Sequence, residues 1–144
     1  LMLDDMQVEQ YFTMAYAEID LQTGKTMLRQ AGHPHPVLMR RDGRVEPVGN
    51  GGMPIGLIPG VTFERVELQL HPGDRLFLVS DGVTECPDAQ DQELGAEGLN
   101  DFLRANADLE PAALLDALVW HLSARTDRPD FPDDVSGVLL HYRG

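Results

Sequence analysis

Apolar positions change their spacing about two thirds of the way along the chain. Before Leu94 they alternate or form short runs between turn dipeptides, the signature of strands. Phe12 to Asp20 (FTMAYAEID) predicts a strand, Gln22-Thr23-Gly24-Lys25 a turn, and Thr26 to Ala31 the returning strand of a hairpin. Pro36 to Arg40 and Arg44 to Val48 flank Asp42-Gly43, a strong turn dipeptide, and predict a second hairpin. Gly49 to Gly60 (GNGGMPIGLIPG) is too rich in glycine and proline for regular structure. Val66, Leu68 and Leu70 alternate with Glu67 and Gln69, a half-buried strand. A turn at His71-Pro72-Gly73-Asp74 then leads into Leu76 to Val79, a continuous apolar run that reads as a fully buried strand.

Beyond that point the period lengthens to that of helices. Leu94, Leu99, Phe102 and Leu103 predict a short helix over Leu94 to Ala105. Leu114, Leu115, Leu118, Val119 and Leu122 mark one face of a second helix, with Pro111 suited to its first turn and Trp120 expected to pack it on the sheet. Asp134 to Tyr142 (DVSGVLLHY) reads as a closing strand. Strands, two helices and a final strand predict an α+β domain, with helices packed on a largely antiparallel sheet.

At 144 residues the chain fits one domain with its own core. It has no run of eighteen apolar residues and no charged-then-apolar leader, so neither a membrane span nor secretion is expected. It opens Leu1-Met2-Leu3-Asp4 and reads as a piece of something longer. The net charge of −13, from 24 acidic and 11 basic residues, disfavours nucleic acid as a partner. The same carboxylates are the donors that hard cations require. The single cysteine, Cys86, has no internal disulfide partner, which suits a reducing cytoplasm.

Two aspartate sites share a format. Asp81 follows one apolar strand, and Asp133-Asp134 precede another. If those strands are neighbours, Asp81 and Asp133 meet at one rim, where a cation between them would relieve their repulsion. Asp81-Gly82 is equally an ordinary turn dipeptide, so a turn and a metal ligand both stand at this stage. His33-x-His35 with Pro72-Gly73 has the outline of a cupin barrel's metal site. The glutamate expected soon after the second histidine is missing, however: Asp42 and Glu46 come only after a strand and a turn. His33 and His35 therefore read as loop residues, and His71, His121 and His141 as structural or solvated ones.

Read in order, Phe12-Thr13, Ala31-Gly32-His33-Pro34, Pro54-Ile55-Gly56-Leu57, Leu70 with Pro72-Gly73-Asp74, Ser80-Asp81-Gly82-Val83-Thr84-Glu85, Leu94-Gly95 and Asp133-Asp134-Val135-Ser136 resemble the metal-dependent protein serine/threonine phosphatases of type 2C. The match is to the bacterial branch typified by SpoIIE and RsbU. This resemblance implies an α/β/β/α sandwich with two Mn²⁺ or Mg²⁺ ions at one edge. Asp81 and Asp133 would be metal ligands, with Asp134 and Gly82 supporting them. It further implies hydrolysis of phosphoserine or phosphothreonine without a protein nucleophile, since the cations activate water and neutralise the phosphoryl charge. The implied partners are a phosphorylated anti-sigma-factor antagonist as substrate and an upstream sensor or receiver domain in the parent chain.

The family also carries an upstream Gly-Gly-Asp-like strand, whose aspartate bridges both metals, and a Gly-His-Gly-like segment after it. Neither is present, and Leu1 to Gln10 corresponds to the end of a later helix. Residues 1–144 are thus expected to be the C-terminal portion of the domain and a poor phosphatase alone. The alternatives are a non-catalytic binding or regulatory module of the same fold and, less in keeping with the residues, the cupin-like metal barrel.

Overall fold

The alternating segments close into two antiparallel sheets in the computed structural model, which describes residues 14–31, 35–48, 64–126, 131 and 134–144. Phe12-Thr13, Gly32-His33-Pro34, the stretch Gly49 to Gly60 and Asp133 lie outside the described residues. Strands β1 (Met14–Ile19), β2 (Lys25–Ala31) and β5 (Glu64–Gln69) form a three-stranded sheet in the order β1-β2-β5. Strands β3 (Val37–Met39), β4 (Val45–Pro47), β6 (Arg75–Val79) and β7 (Gly137–His141) form a four-stranded sheet in the order β4-β3-β6-β7. Both predicted hairpins are present, and their turns need glycine: Gly24 has φ +76° and Gly43 φ +93°, where a Cβ is unfavourable. At Gly24 an added Cβ would also run into the Leu70 carbonyl oxygen, which fixes how closely β2 approaches the end of β5.

Side-chain alternation decides the layers. Thr26, Leu28 and Gln30 of β2 are buried while Lys25 and Arg29 are exposed, so the three-stranded sheet turns one face inward. That face meets the four-stranded sheet over a core of Leu28, Leu38, Val48, Leu70, Leu76 and Tyr142. On the far side of the four-stranded sheet, Val37, Met39, Phe77 and Val79 pack beneath helices α2 (Gly95–Ala105) and α3 (Pro111–Arg125). The inner sheet is therefore covered on both faces, which is why its central strands are continuously apolar rather than alternating. The described layers run helices, four-stranded sheet, three-stranded sheet. This arrangement rules out the cupin-like barrel, which would have almost no helix. No helix among the described residues is long and apolar enough to cross a membrane.

Helix α3 begins with Pro111 in its first turn, as expected, but its contact with the sheet is narrower than the apolar pattern predicts. Leu114, Leu118 and Leu122 are buried and form a single row at intervals of four, with Leu115 half-buried beside it. Val119 is 55% exposed and Trp120 77% exposed, which corrects the expectation that Trp120 packs the helix on the sheet. Two residues past Leu118, Trp120 lies roughly 200° around the axis, on the outward side. As the chain's one tryptophan, it should emit like indole in water, and Trp120→Ala should change unfolding free energy by less than about 0.5 kcal/mol. A blue-shifted, quencher-protected emission would contradict this placement.

Candidate metal centre at the edge of the inner sheet

The condition for Asp81 and the Asp133-Asp134 pair to meet is that their strands be neighbours, and β6 and β7 are. They pair antiparallel, with Val79 opposite Gly137. Beyond the last ladder pair, Ser80 takes over. Its N–H donates to the Ser136 carbonyl at 2.9 Å, its hydroxyl donates to the Asp134 carbonyl at 3.0 Å, and the same Oγ accepts the Ser136 N–H at 2.9 Å. The segment Asp134 to Ser136, predicted as strand, is held by this side-chain clamp, and the strand itself starts at Gly137.

Asp81 opens a one-turn helix, α1 (Asp81–Thr84), instead of a bare turn. Its carbonyl accepts from the Glu85 N–H at 2.8 Å and from Thr84 Oγ1 at 3.3 Å, so its backbone is fixed. Its half-buried carboxylate has no hydrogen-bond or ion-pair partner among the described residues. Gly82 is a buried helical residue, so its place beside Asp81 comes from the helix and not from a glycine-only turn. Asp134 is exposed, Glu85 is exposed at the end of α1, and Asp133 lies outside the described residues.

Behind the rim the chain is braced. Cys86 is fully buried, with Sγ 3.7 Å from the Leu122 carbonyl, and burial pushes its thiol above the usual range. It is a packing residue, not a reactive one. Arg125, in the last turn of α3, donates Nε to the Cys86 carbonyl at 3.1 Å and Nη2 to the Gln92 carbonyl at 2.6 Å. The loop leaving the rim is thereby tied to the helix layer. Of the histidines, His121 stacks on Phe102 at 4.9 Å, His71 is exposed in its turn, His35 is half-buried two residues before β3, and His33 lies outside the described residues.

Among the described residues no three His, Cys, Asp or Glu side chains gather into a metal-holding group. The donor that is present is the right kind. A carboxylate without a partner among the described residues, just past the end of a buried strand, suits a hard divalent cation that prefers oxygen ligands.

One residue was undervalued in the sequence. Asp74, read as part of a turn, is only 2% exposed and accepts hydrogen bonds from the His71 N–H (2.8 Å), the Arg41 N–H (2.9 Å) and Arg40 Nη1 (2.8 Å). Burial pushes its carboxyl up, but these bonds and the Arg40 charge outweigh burial and hold it below the usual carboxylate range. Arg40 Nη1 also donates to the Gln69 carbonyl at 2.8 Å, so one ion pair joins the ends of β3, β5 and β6. The Asp74 carbonyl receives the Tyr142 N–H at 2.9 Å, which adds the end of β7. The near ends of the two strands that carry the rim are thus locked at Asp74. In the sequence Asp74 stands as a turn residue and a member of the family pattern, with nothing to join it to an arginine thirty-four positions earlier.

Comparison with known proteins places this architecture. The family model described as Stage II sporulation protein E (SpoIIE) matches residues 1–143. Stage II sporulation protein E of Bacillus subtilis is 29% identical over 133 residues, which cover 92% of this chain and 16% of that protein. The solved phosphatase domain of the same cell-fate determinant, presoaked with Mn, superposes with a TM-score of 0.75 at 23% identity, over 96% of this chain and 58% of that one. The RsbU and RsbW domains of Rv1364c from Mycobacterium tuberculosis superpose with a TM-score of 0.75 at 26% identity, over 91% of this chain and 36% of that one. The chain spans under a fifth of the sporulation protein and little more than half of its solved phosphatase domain. By its sequence match and its fold, the chain belongs to the SpoIIE family of type 2C-like phosphatase domains.

Proposed function

We infer that residues 1–144 form the C-terminal portion of a phosphatase domain that hydrolyses phosphoserine or phosphothreonine on a regulatory protein. In this reading Asp81 and Asp133 hold divalent cations, Mn²⁺ or Mg²⁺, of which the complete domain binds two. The observation that carries it is the Asp81 carboxylate, without a partner among the described residues and placed just past the end of β6 beside the chain that enters β7. Presoaking of the related SpoIIE phosphatase domain with Mn supports the choice of metal. When bound, the cations supply an activated water and neutralise charge on the phosphoryl oxygens.

The chain's own residues do the positioning. The Ser80 clamp holds the two strand ends in one register, and helix α1 fixes the backbone of Asp81. Asp134 and Gly82 flank the ligands along the chain. A phosphorylated anti-sigma-factor antagonist is the proposed substrate, with a sensor or receiver domain elsewhere in the parent chain and a cytoplasmic setting.

A further carboxylate ligand would come from the part of the related domain that this chain does not cover. The 144-residue chain alone should therefore turn over a phosphoserine peptide in Mn²⁺ at least about a hundredfold more slowly than the N-terminally extended domain, since loss of charge stabilisation of about 3 kcal/mol or more has that effect. Turnover by the short chain at the rate of the extended one would overturn this assignment. If both are inactive on phosphopeptides yet bind the antagonist protein, the non-catalytic module is the correct reading.

A further inference from the structure

The other end of the inner sheet, away from Asp81, carries a concentration of positive charge that is unexpected in a chain of net charge −13. Met39, Arg75 and His141 sit side by side across β3, β6 and β7, so their side chains share a face. It is the helix-facing side, because Val37, Phe77 and Leu139 in the next row pack beneath the helices. Past the edge of that core, between the sheet and the segment that joins α2 to α3, lies a cleft of about 220 Å³. Arg40, Arg41, Arg75 and His141 line it, with Met39 and Ala107 as apolar walls, and among the described residues no carboxylate lines it.

The charged groups are held in place. Arg40, one residue past Met39, is anchored through Nη1 on Asp74 and on the Gln69 carbonyl of the three-stranded sheet, and Arg75 through Nη1 on the Leu109 carbonyl at 2.7 Å. The stem of Arg41 lies against Gly73, at φ +95°, so closely that an added Cβ there would meet it at 2.8 Å. Arg41's guanidinium has no partner among the described residues. His141 contributes a further unmet group, since its Nδ1 is buried without a hydrogen-bond partner.

We propose that this cleft is a binding site for a phosphate-class oxyanion, separate from the metal rim. The Arg41 and Arg75 side chains, brought together from the chain leaving β3 and from β6 with an imidazole beside them, match an acceptor whose oxygens point in several directions. A planar carboxylate would satisfy a single fork. The volume leaves room for the anion and a few waters, at about 30 Å³ each. Arg75 opens β6 and Asp81 lies beyond its far end at Val79, so the strand alone separates them by roughly 13 Å at about 3.3 Å per residue, and the two sites do not overlap. The proposal does not depend on the phosphatase reading.

The test is a titration followed by ¹H–¹⁵N spectra of the protein at fixed ionic strength, with EDTA to keep the rim free of metal. One arm uses inorganic phosphate and the other a phosphoserine peptide. Saturable shifts at Arg75, Ala107 and His141 are expected. Arg41→Gln should weaken binding about tenfold, as loss of one charge-assisted bond does. Arg44→Gln, on the same hairpin but outside the cleft, should leave the affinity unchanged. Tighter binding of free phosphate would identify a site for the released product, and tighter binding of the peptide a docking site for a phosphoprotein; either result upholds the cleft. Shifts that chloride reproduces, shifts confined to the Asp81 rim, or equal weakening by the two arginine variants would overturn it.

Discussion

Asp81→Asn should abolish Mn²⁺-dependent turnover in the complete domain and leave the fold standing. Asparagine keeps the size of the side chain but exchanges an anionic oxygen for a neutral carbonyl or an NH₂ group, so a cation loses a full opposing charge. Metal charge stabilisation is a matter of several kcal/mol, which puts the loss on the order of a thousandfold or more. The same loss is expected for Asp133→Asn. Stability should hardly change, because the Asp81 carboxylate makes no bond among the described residues. A shift below about 0.5 kcal/mol in urea unfolding is expected. Steady-state assays on the two variants, paired with unfolding curves, give the answer. Turnover that survives either substitution removes that residue from the metal site, and turnover lost together with the fold would show a structural role.

Asp74→Ala should do the reverse: unfold the domain more readily without touching the rim's chemistry. The substitution deletes three hydrogen bonds and leaves Arg40, 21% exposed, without its counter-charge. Breaking a buried pair from one side costs about 3 kcal/mol at the lower end of the usual range, and Arg40's partial exposure argues for that end. In a domain of this size the melting temperature should fall by about 10 °C. A pH series adds a sign. The folded-state pKa of Asp74 lies below its unfolded value, so its contribution is complete above the unfolded pKa and disappears as pH falls through the folded one. The stability gap between the parent and Asp74→Asn should therefore be widest near neutrality and close towards strong acid. Calorimetry that finds Asp74→Ala within about 1 kcal/mol of the parent would show that the buried pair is not what holds the strand ends.

Most of the fold was legible because its signals are local. Turn dipeptides set both hairpins, alternation marked β5, and the double burial of β6 appeared as an unbroken apolar run. The misses concern distances that no local pattern contains. The stripe on α3 has five apolar residues, but the width of the contact is set by the sheet, which admits a single row and leaves Val119 and Trp120 outside. Asp74 looked like a turn residue because its partner lies thirty-four positions earlier and reaches it only after the sheets have formed. At the rim, the format of an aspartate at each strand end was readable, as was the condition that the strands be neighbours. Ser80, which joins them, was not singled out, since a serine before Asp-Gly carries no signal of a bond fifty-six residues away.

The order of the inner sheet has a consequence for how heat would reach the reaction. Among the described residues β7 pairs only with β6, so the strand that leads from the Asp133-Asp134 pair is supported on one side, while Asp81 follows a strand held on both. Detaching an outer strand requires only part of the free energy of global unfolding. In the proposed site, fraying of that strand would disturb the ion-binding geometry first, and the temperature ceiling of catalysis would then lie below the melting point of the core.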